Sequence, residues 1–144
     1  MEAKQPKGKS RAVGVAALAL IMGGGAIVTI RAARDWTALA KARKLKNPFP
    51  ATRQALAGGM QVYTNHCQSC HGQYGDGKGD KAAELSVAPG DFTNTRKMNQ
   101  LTDGELYWQT THGRLPMPSF VTKLTDEQRW EVVDYIRTFA QRKP

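Results

Sequence analysis

The hydrophobic pattern divides the chain into one unbroken apolar run and several amphipathic stretches. Val13 to Ile30 (VGVAALALIMGGGAIVTI) carries no charged residue over eighteen positions. At ~1.5 Å per helical residue it reaches roughly 27 Å, the thickness of a hydrocarbon core, and Ala32 and Ala33 extend it. Residues 13–33 are therefore predicted to form one transmembrane helix. A cleaved signal peptide is the competing reading, with an apolar run from Val13 to Met22 and Gly24 and Ala26 as the small residues before the cut. Either way, the following residues leave the cytoplasm. Ala19 and Gly23 are spaced small-xxx-small, and Gly24 and Gly25 follow. Such residues let a second helix approach closely in lipid, which favours a partner helix in a larger membrane complex over an isolated tether.

Residues 31–46 (RAARDWTALAKARKLK) are good helix formers and read as a continuation into the headgroup layer, with Trp36 at the interface, or as a solvated linker. Asn47-Pro48-Phe49-Pro50 stops any helix. The expected organisation is a basic cytoplasmic tail (1–12), the anchor (13–33), a juxtamembrane helix or linker (34–50) and one domain (51–144). Inside that domain a helix runs from roughly Thr52 to His66, with Gly59, Tyr63 and Cys67 on one stripe. A glycine weakens a helix, so Gly59 marks a place where another backbone crosses. Residues 125–141 (TDEQRWEVVDYIRTFAQ) supply the candidate: Thr125 and Gln128 form a capping box, and Trp130, Val132, Val133, Tyr135, Ile136 and Phe139 give one buried side. A shorter helix, Thr102 to His112, is capped by Thr102 with Glu105 and ends at Gly113. Between these lie a glycine-rich loop after His71 and an irregular turn, Ala88 to Thr93. No stretch alternates with period two, so an all-α fold is expected.

Charge sharpens this map. The formal net charge of +9 comes from residues 1–12 (+3) and residues 31–47 (+5), while the remainder holds eleven basic and ten acidic residues. Basic clusters flanking an apolar segment describe a membrane-proximal chain, not a nucleic-acid-binding surface. Near the ends of the span, however, six Lys and Arg residues lie on the C-terminal side and four on the N-terminal side. The positive-inside rule alone would prefer the opposite topology. The chemistry of the domain decides for an extracytoplasmic location.

That chemistry sits at Cys67-Gln68-Ser69-Cys70-His71. On a helical turn, positions i, i+3 and i+4 share a face, so both thiols and the imidazole can address one ligand. This is the attachment motif of c-type haem, with a thioether to each cysteine and His71 as axial ligand. Zinc would need further ligands, but His66, His71 and His112 are the chain's three histidines, and a thioredoxin-like pair would need a βαβ setting. A plain local disulfide is the remaining alternative. For the sixth ligand, Met117 stands between Pro116 and Pro118, which stiffen an extended loop; Met98, His112 or an open site are the alternatives.

From about Pro48 to Phe139 the sequence resembles the small class I c-type cytochromes. The matching residues are Gly59, Tyr63, Cys67, Cys70 and His71, then Glu105-Leu106-Tyr107-Trp108, Gly113, Met117-Pro118, and the last helix with Trp130 and Tyr135. The resemblance implies three to five helices wrapped round one haem c, a crossing of first and last helices near Gly59 and Tyr135, and His71 and Met117 as axial ligands. It further implies a proline carbonyl that fixes the histidine ring, for which Pro89 is the candidate. Trp108 would pack beside the haem with its indole near a propionate, unless it is a plain core aromatic. An iron with both axial positions filled exchanges one electron and has no site for a small-molecule substrate. The expected function is thus electron transfer in a respiratory or photosynthetic chain, within a multi-subunit redox complex or with a soluble carrier. Asn47-Pro48-Phe49-Pro50-Ala51-Thr52 resembles the lead-in of the monohaem subunits of alternative complex III. A haem enzyme or gas sensor with an open or displaceable sixth ligand is the alternative class.

Overall fold

A computed structural model of the chain describes residues 40–141. The expected tail, membrane span and Trp36 lie outside the described residues, and no helix among those described is long and apolar enough to cross a membrane. The elements are α1 (Arg53–His66), α2 (Gln68–His71), a 3-10 turn (Ala82–Glu84), α3 (Thr95–Met98), α4 (Asp103–His112) and α5 (Asp126–Gln141). Among the described residues the only β pairing is one isolated bridge between Arg114 and Met117. The described residues are all-α, as the absence of alternation implied.

The three long helices begin where their caps dictate. Thr52 Oγ1 accepts from the Ala55 amide at 3.1 Å. Thr102 and Glu105 exchange bonds of 3.2 and 2.8 Å, and Thr125 and Gln128 repeat the device at 3.2 and 3.0 Å. Each such cap stabilises its helix by ~0.5–2 kcal/mol. The four-residue α3 and the 3-10 turn are too short to leave a periodic signal.

Helices α1 and α5 cross at Gly59. A Cβ built there would meet the Glu131 carbonyl oxygen, lie 2.6 Å from the carbonyl carbon and stand 2.9 Å from Tyr135 Cβ. The glycine lets two backbones touch, and the buried stripes of both helices then close on each other. Val62 and Tyr63 from α1 meet Val132, Val133, Ile136 and Phe139 from α5, joined by Met98, Leu106, Phe120 and Leu124. Cys67 belongs to this same cluster.

Residues 40–47, read from sequence as part of a linker, pack on the domain. Ala42 is buried, and its carbonyl oxygen occupies the place a Cβ on Gly104 would take at the start of α4. Arg43 Nε lies 2.9 Å from Glu105 Oε1, and Asn47 Nδ2 donates to Asp134 Oδ2 at 3.0 Å. A glycine inside α4 thus serves a second backbone crossing that local sequence did not reveal.

Candidate functional site

The cysteines and histidine are wound on the end of the first helix. Cys67 N–H donates to Tyr63 O at 2.8 Å, and the amides of Cys70 and His71 both donate to Cys67 O, at 3.1 and 2.9 Å. Tyr63, whose ring lies in the core, donates its hydroxyl to Gly72 O at 2.7 Å and closes the turn from beneath. The loop then folds back over α2: amides of Gly77, Gly79 and Lys81 donate to carbonyls of His71, Cys70 and Ser69 at 2.8, 3.1 and 2.8 Å. These are the carbonyls a helix end leaves unpaired. The glycine-rich loop is therefore a cap for the attachment turn.

Both cysteines are free; Cys67 is buried and Cys70 half-buried. Burial, followed by the neighbouring Cys70, pushes the Cys67 thiol up to about 12, so a neutral sulfur belongs in that place. A thioether is neutral, and the site suits one. His71 Nδ1 stands 3.1 Å from Gly90 O, and the ring stacks on Phe92 with centroids 4.6 Å apart at 17°. Burial lowers the imidazole pKa, and the bond to Gly90 raises it in part. A neutral imidazole whose Nδ1–H is given to a carbonyl keeps its Nε2 lone pair for a metal. Two uncrosslinked thiols, one in the core, and a neutral, pinned histidine on one turn fit covalent haem c.

The carbonyl acceptor is a correction. The resemblance placed it at Pro89, and it belongs to Gly90, because the Pro89 carbonyl is turned toward Gly77, where a Cβ would lie 2.9 Å from it. Neither Gly90 nor Phe92 stood out in the sequence; an aromatic in a polar turn was the one hint.

The other candidates follow α4. Gly113, with φ of +64°, turns the chain, and a Cβ there would lie 2.5 Å from the Pro118 carbonyl carbon and 2.7 Å from Met117 O. The loop expected to be extended is instead a tight turn. Arg114 N–H donates to Met117 O at 3.0 Å and Met117 N–H to Arg114 O at 2.9 Å, around a cis Leu115–Pro116 bond. Met117 is half-buried and packs against the same cluster as Cys67, whereas Leu115 at the tip is 88% exposed. Met98 is fully buried on α3. Trp108 is half-buried and stacks on His112 with centroids 4.6 Å apart, while His112 Nδ1 stands 2.9 Å from Trp108 O within the same helix.

Helices crossing at a glycine, with a Cys-x-x-Cys-His turn against the core they enclose, define a class I c-type cytochrome carrying haem c through Cys67 and Cys70. The chain belongs to the family described as cytochrome c oxidase, cbb3-type, subunit III, whose model matches residues 54–136. It is similar to cytochrome c6 of Parathermosynechococcus lividus, 30% identical over 81 residues that cover 56% of this chain and 86% of the relative. Among solved structures it resembles a chain of the Kuenenia stuttgartiensis reducing HAO-like protein complex, with 28% identity and a TM-score of 0.59 over 66% of this chain. That match spans about half of the larger chain, 48%. It also resembles the KustC0563 c-type cytochrome, with 29% identity and a TM-score of 0.50, over 56% of this chain and 95% of that one. The protein is an electron carrier of the cytochrome c type.

Proposed function

We propose that this protein is a monohaem one-electron carrier with His71 and Met117 as axial ligands, held on the extracytoplasmic face of the cytoplasmic membrane by residues 13–33. The observation that carries the ligation is the packing of Met117 against the cluster that contains Cys67, on a turn closed by two hydrogen bonds. Met98 is committed to the core and His112 to its own helix and Trp108, which supports Met117 over both. Trp108, half-buried on α4 and stacked on His112, is proposed to line the haem edge. Haem c supplies a single Fe(II)/Fe(III) couple, and thioether ligation with burial favours the reduced form. The chain's own groups do the rest: His71 is oriented by Gly90 and Phe92, and the surrounding apolar cluster excludes water.

Tethering serves such a carrier, because a linked partner sits at millimolar effective concentration. Residues 13–33 and their glycines support a station in a multi-subunit respiratory or photosynthetic complex. The test is the absorption spectrum of the oxidised protein from membranes. A far-red sulfur-to-iron charge-transfer band that disappears in Met117→Ala, with no carbon monoxide binding to the reduced wild type, is expected. Ready carbon monoxide binding by the wild type would overturn the carrier reading and favour a haem with an open or displaceable sixth site. N-terminal sequencing of the native protein tests the anchor, since a start near Ile27 would mean a cleaved leader.

A further inference from the structure

We propose that Arg129 is a positioning residue that keeps the Met117 loop shut over the haem iron; this rests on Met117 being the axial ligand. Arg129 lies on the inward stripe of α5, three, four and seven residues before Val132, Val133 and Ile136, and is 4% exposed. A buried guanidinium among valines is costly unless its donors are used, and leucine or methionine would fill that space more cheaply. The donors reach the chain that follows Met117. Nη1 donates to Val121 O at 3.1 Å and to Leu124 O at 3.3 Å. Nη2 donates to the Tyr107 hydroxyl at 3.2 Å and pairs with Asp126 Oδ1.

Tyr107 joins the clamp to α4. Its hydroxyl donates to Asp126 Oδ1 at 3.1 Å, its ring stacks on Trp130 at 4.2 Å, and the guanidinium lies 5.4 Å from that ring's centroid. Upstream, the Ser119 hydroxyl and the Phe120 amide both donate to Thr111 O, at 2.7 and 3.2 Å. The segment Ser119–Leu124 is thus fixed by Thr111 at one end and Arg129 at the other, and Met117 hangs from its start. Arg129 has one orphan, a buried Nε without a partner. The two terminal nitrogens carry the whole clamp, on two carbonyls, one hydroxyl and the Asp126 carboxylate.

The same helix supplies an internal control. Arg137 donates to Met98 O at 2.7 Å and to Leu101 O at 2.6 Å, and pairs with Asp103 at 2.7 Å. It performs the same kind of clamping on the segment before α4 rather than on the one that follows Met117.

The experiment measures imidazole binding to the ferric holoprotein, because an external ligand binds in proportion to the fraction of molecules whose Met117 loop is open. Arg129→Gln removes charge-assisted bonds, so apparent imidazole affinity is expected to tighten roughly tenfold to hundredfold. Arg129→Lys, which keeps the charge but not the fork, should fall between, and Tyr107→Phe should shift it by less than Arg129→Gln. Arg137→Gln should lower the melting temperature while leaving imidazole affinity within about twofold of wild type, by the same population argument. Should Arg129→Gln not fold, the lysine and phenylalanine variants carry the test. Equal shifts from Arg129 and Arg137 variants at matched stability, or no shift from any Arg129 variant, would overturn the positioning role. A spectrum unchanged by Met117→Ala would overturn the ligation reading and this inference together, and so is distinguishable.

Discussion

Gly59→Ala tests whether the α1–α5 crossing sets the stability of the domain. The added Cβ would lie 2.6 Å from the Glu131 carbonyl carbon and 2.9 Å from Tyr135 Cβ, against a comfortable carbon–carbon contact of ~3.5–4.0 Å. The helices must part by about 1 Å, and because the obstructing atoms are main chain, no rotamer relieves them. Overpacking of this kind costs ~1–3 kcal/mol. Alanine returns about 1 kcal/mol of helix propensity. With the upper figure for a rigid clash, the net loss is about 2 kcal/mol, or roughly 8–16 °C in melting temperature for a domain of this size. Gly58→Ala is the matched control. Its Cβ would lie 2.7 Å from Glu131 Oε2, the end of a flexible side chain that can swing away. That variant keeps the propensity gain and should melt at or slightly above wild type. Thermal melts of the oxidised holoproteins by far-UV circular dichroism read both. If Gly58→Ala lost as much stability as Gly59→Ala, the close approach would not be what the glycine provides.

Gly104→Ala should dislodge residues 40–47 by displacing the Ala42 carbonyl; trypsin cleavage after Lys41, Arg43 and Lys44 should accelerate several-fold, and unchanged cleavage would refute the docking. The Glu131 carboxyl titrates above its ordinary value, chiefly through burial, then through the charges of Glu127 and Asp134. Its folded form holds a proton more tightly than the unfolded form, so its effect on stability is most favourable below the ordinary pKa of 4.5 and is lost as pH rises through the raised value. Glu131→Gln should therefore melt higher than wild type at pH 7, with the gap narrowing toward pH 4; a gap that widened on acidification would reverse the sign.

The legible parts of this molecule are those encoded locally. Thr52, Thr102 and Thr125 cap their helices within three residues, and Cys67, Cys70 and His71 declare their chemistry by spacing alone. Gly59 was readable because a glycine on an otherwise helical stripe asks for a partner. Gly104 asked the same question, but its partner, Ala42, precedes a proline pair that reads as a boundary. The acceptor for His71 slipped by one residue from Pro89 to Gly90, since loop register depends on how the chain turns around Gly77. The inward arginines carried a signal that periodicity alone could have exposed: Arg129 falls on the same stripe as Val132, Val133 and Ile136, where a charge is out of place.

The bond between His71 and Gly90 reaches across nineteen residues, and the intervening loop is exposed over much of its length and contributes few side chains to the helical core. The electron-donating character of an axial imidazole follows the acceptor on its far nitrogen. With His71 as the proposed axial ligand, substitutions at the exposed positions between residues 73 and 89 are expected to shift the reduction potential while the helix crossing at Gly59 stays as it is. Gly75, Gly77 and Gly79 are excepted, because the first abuts the Phe139 ring and the other two return their amides to the attachment turn.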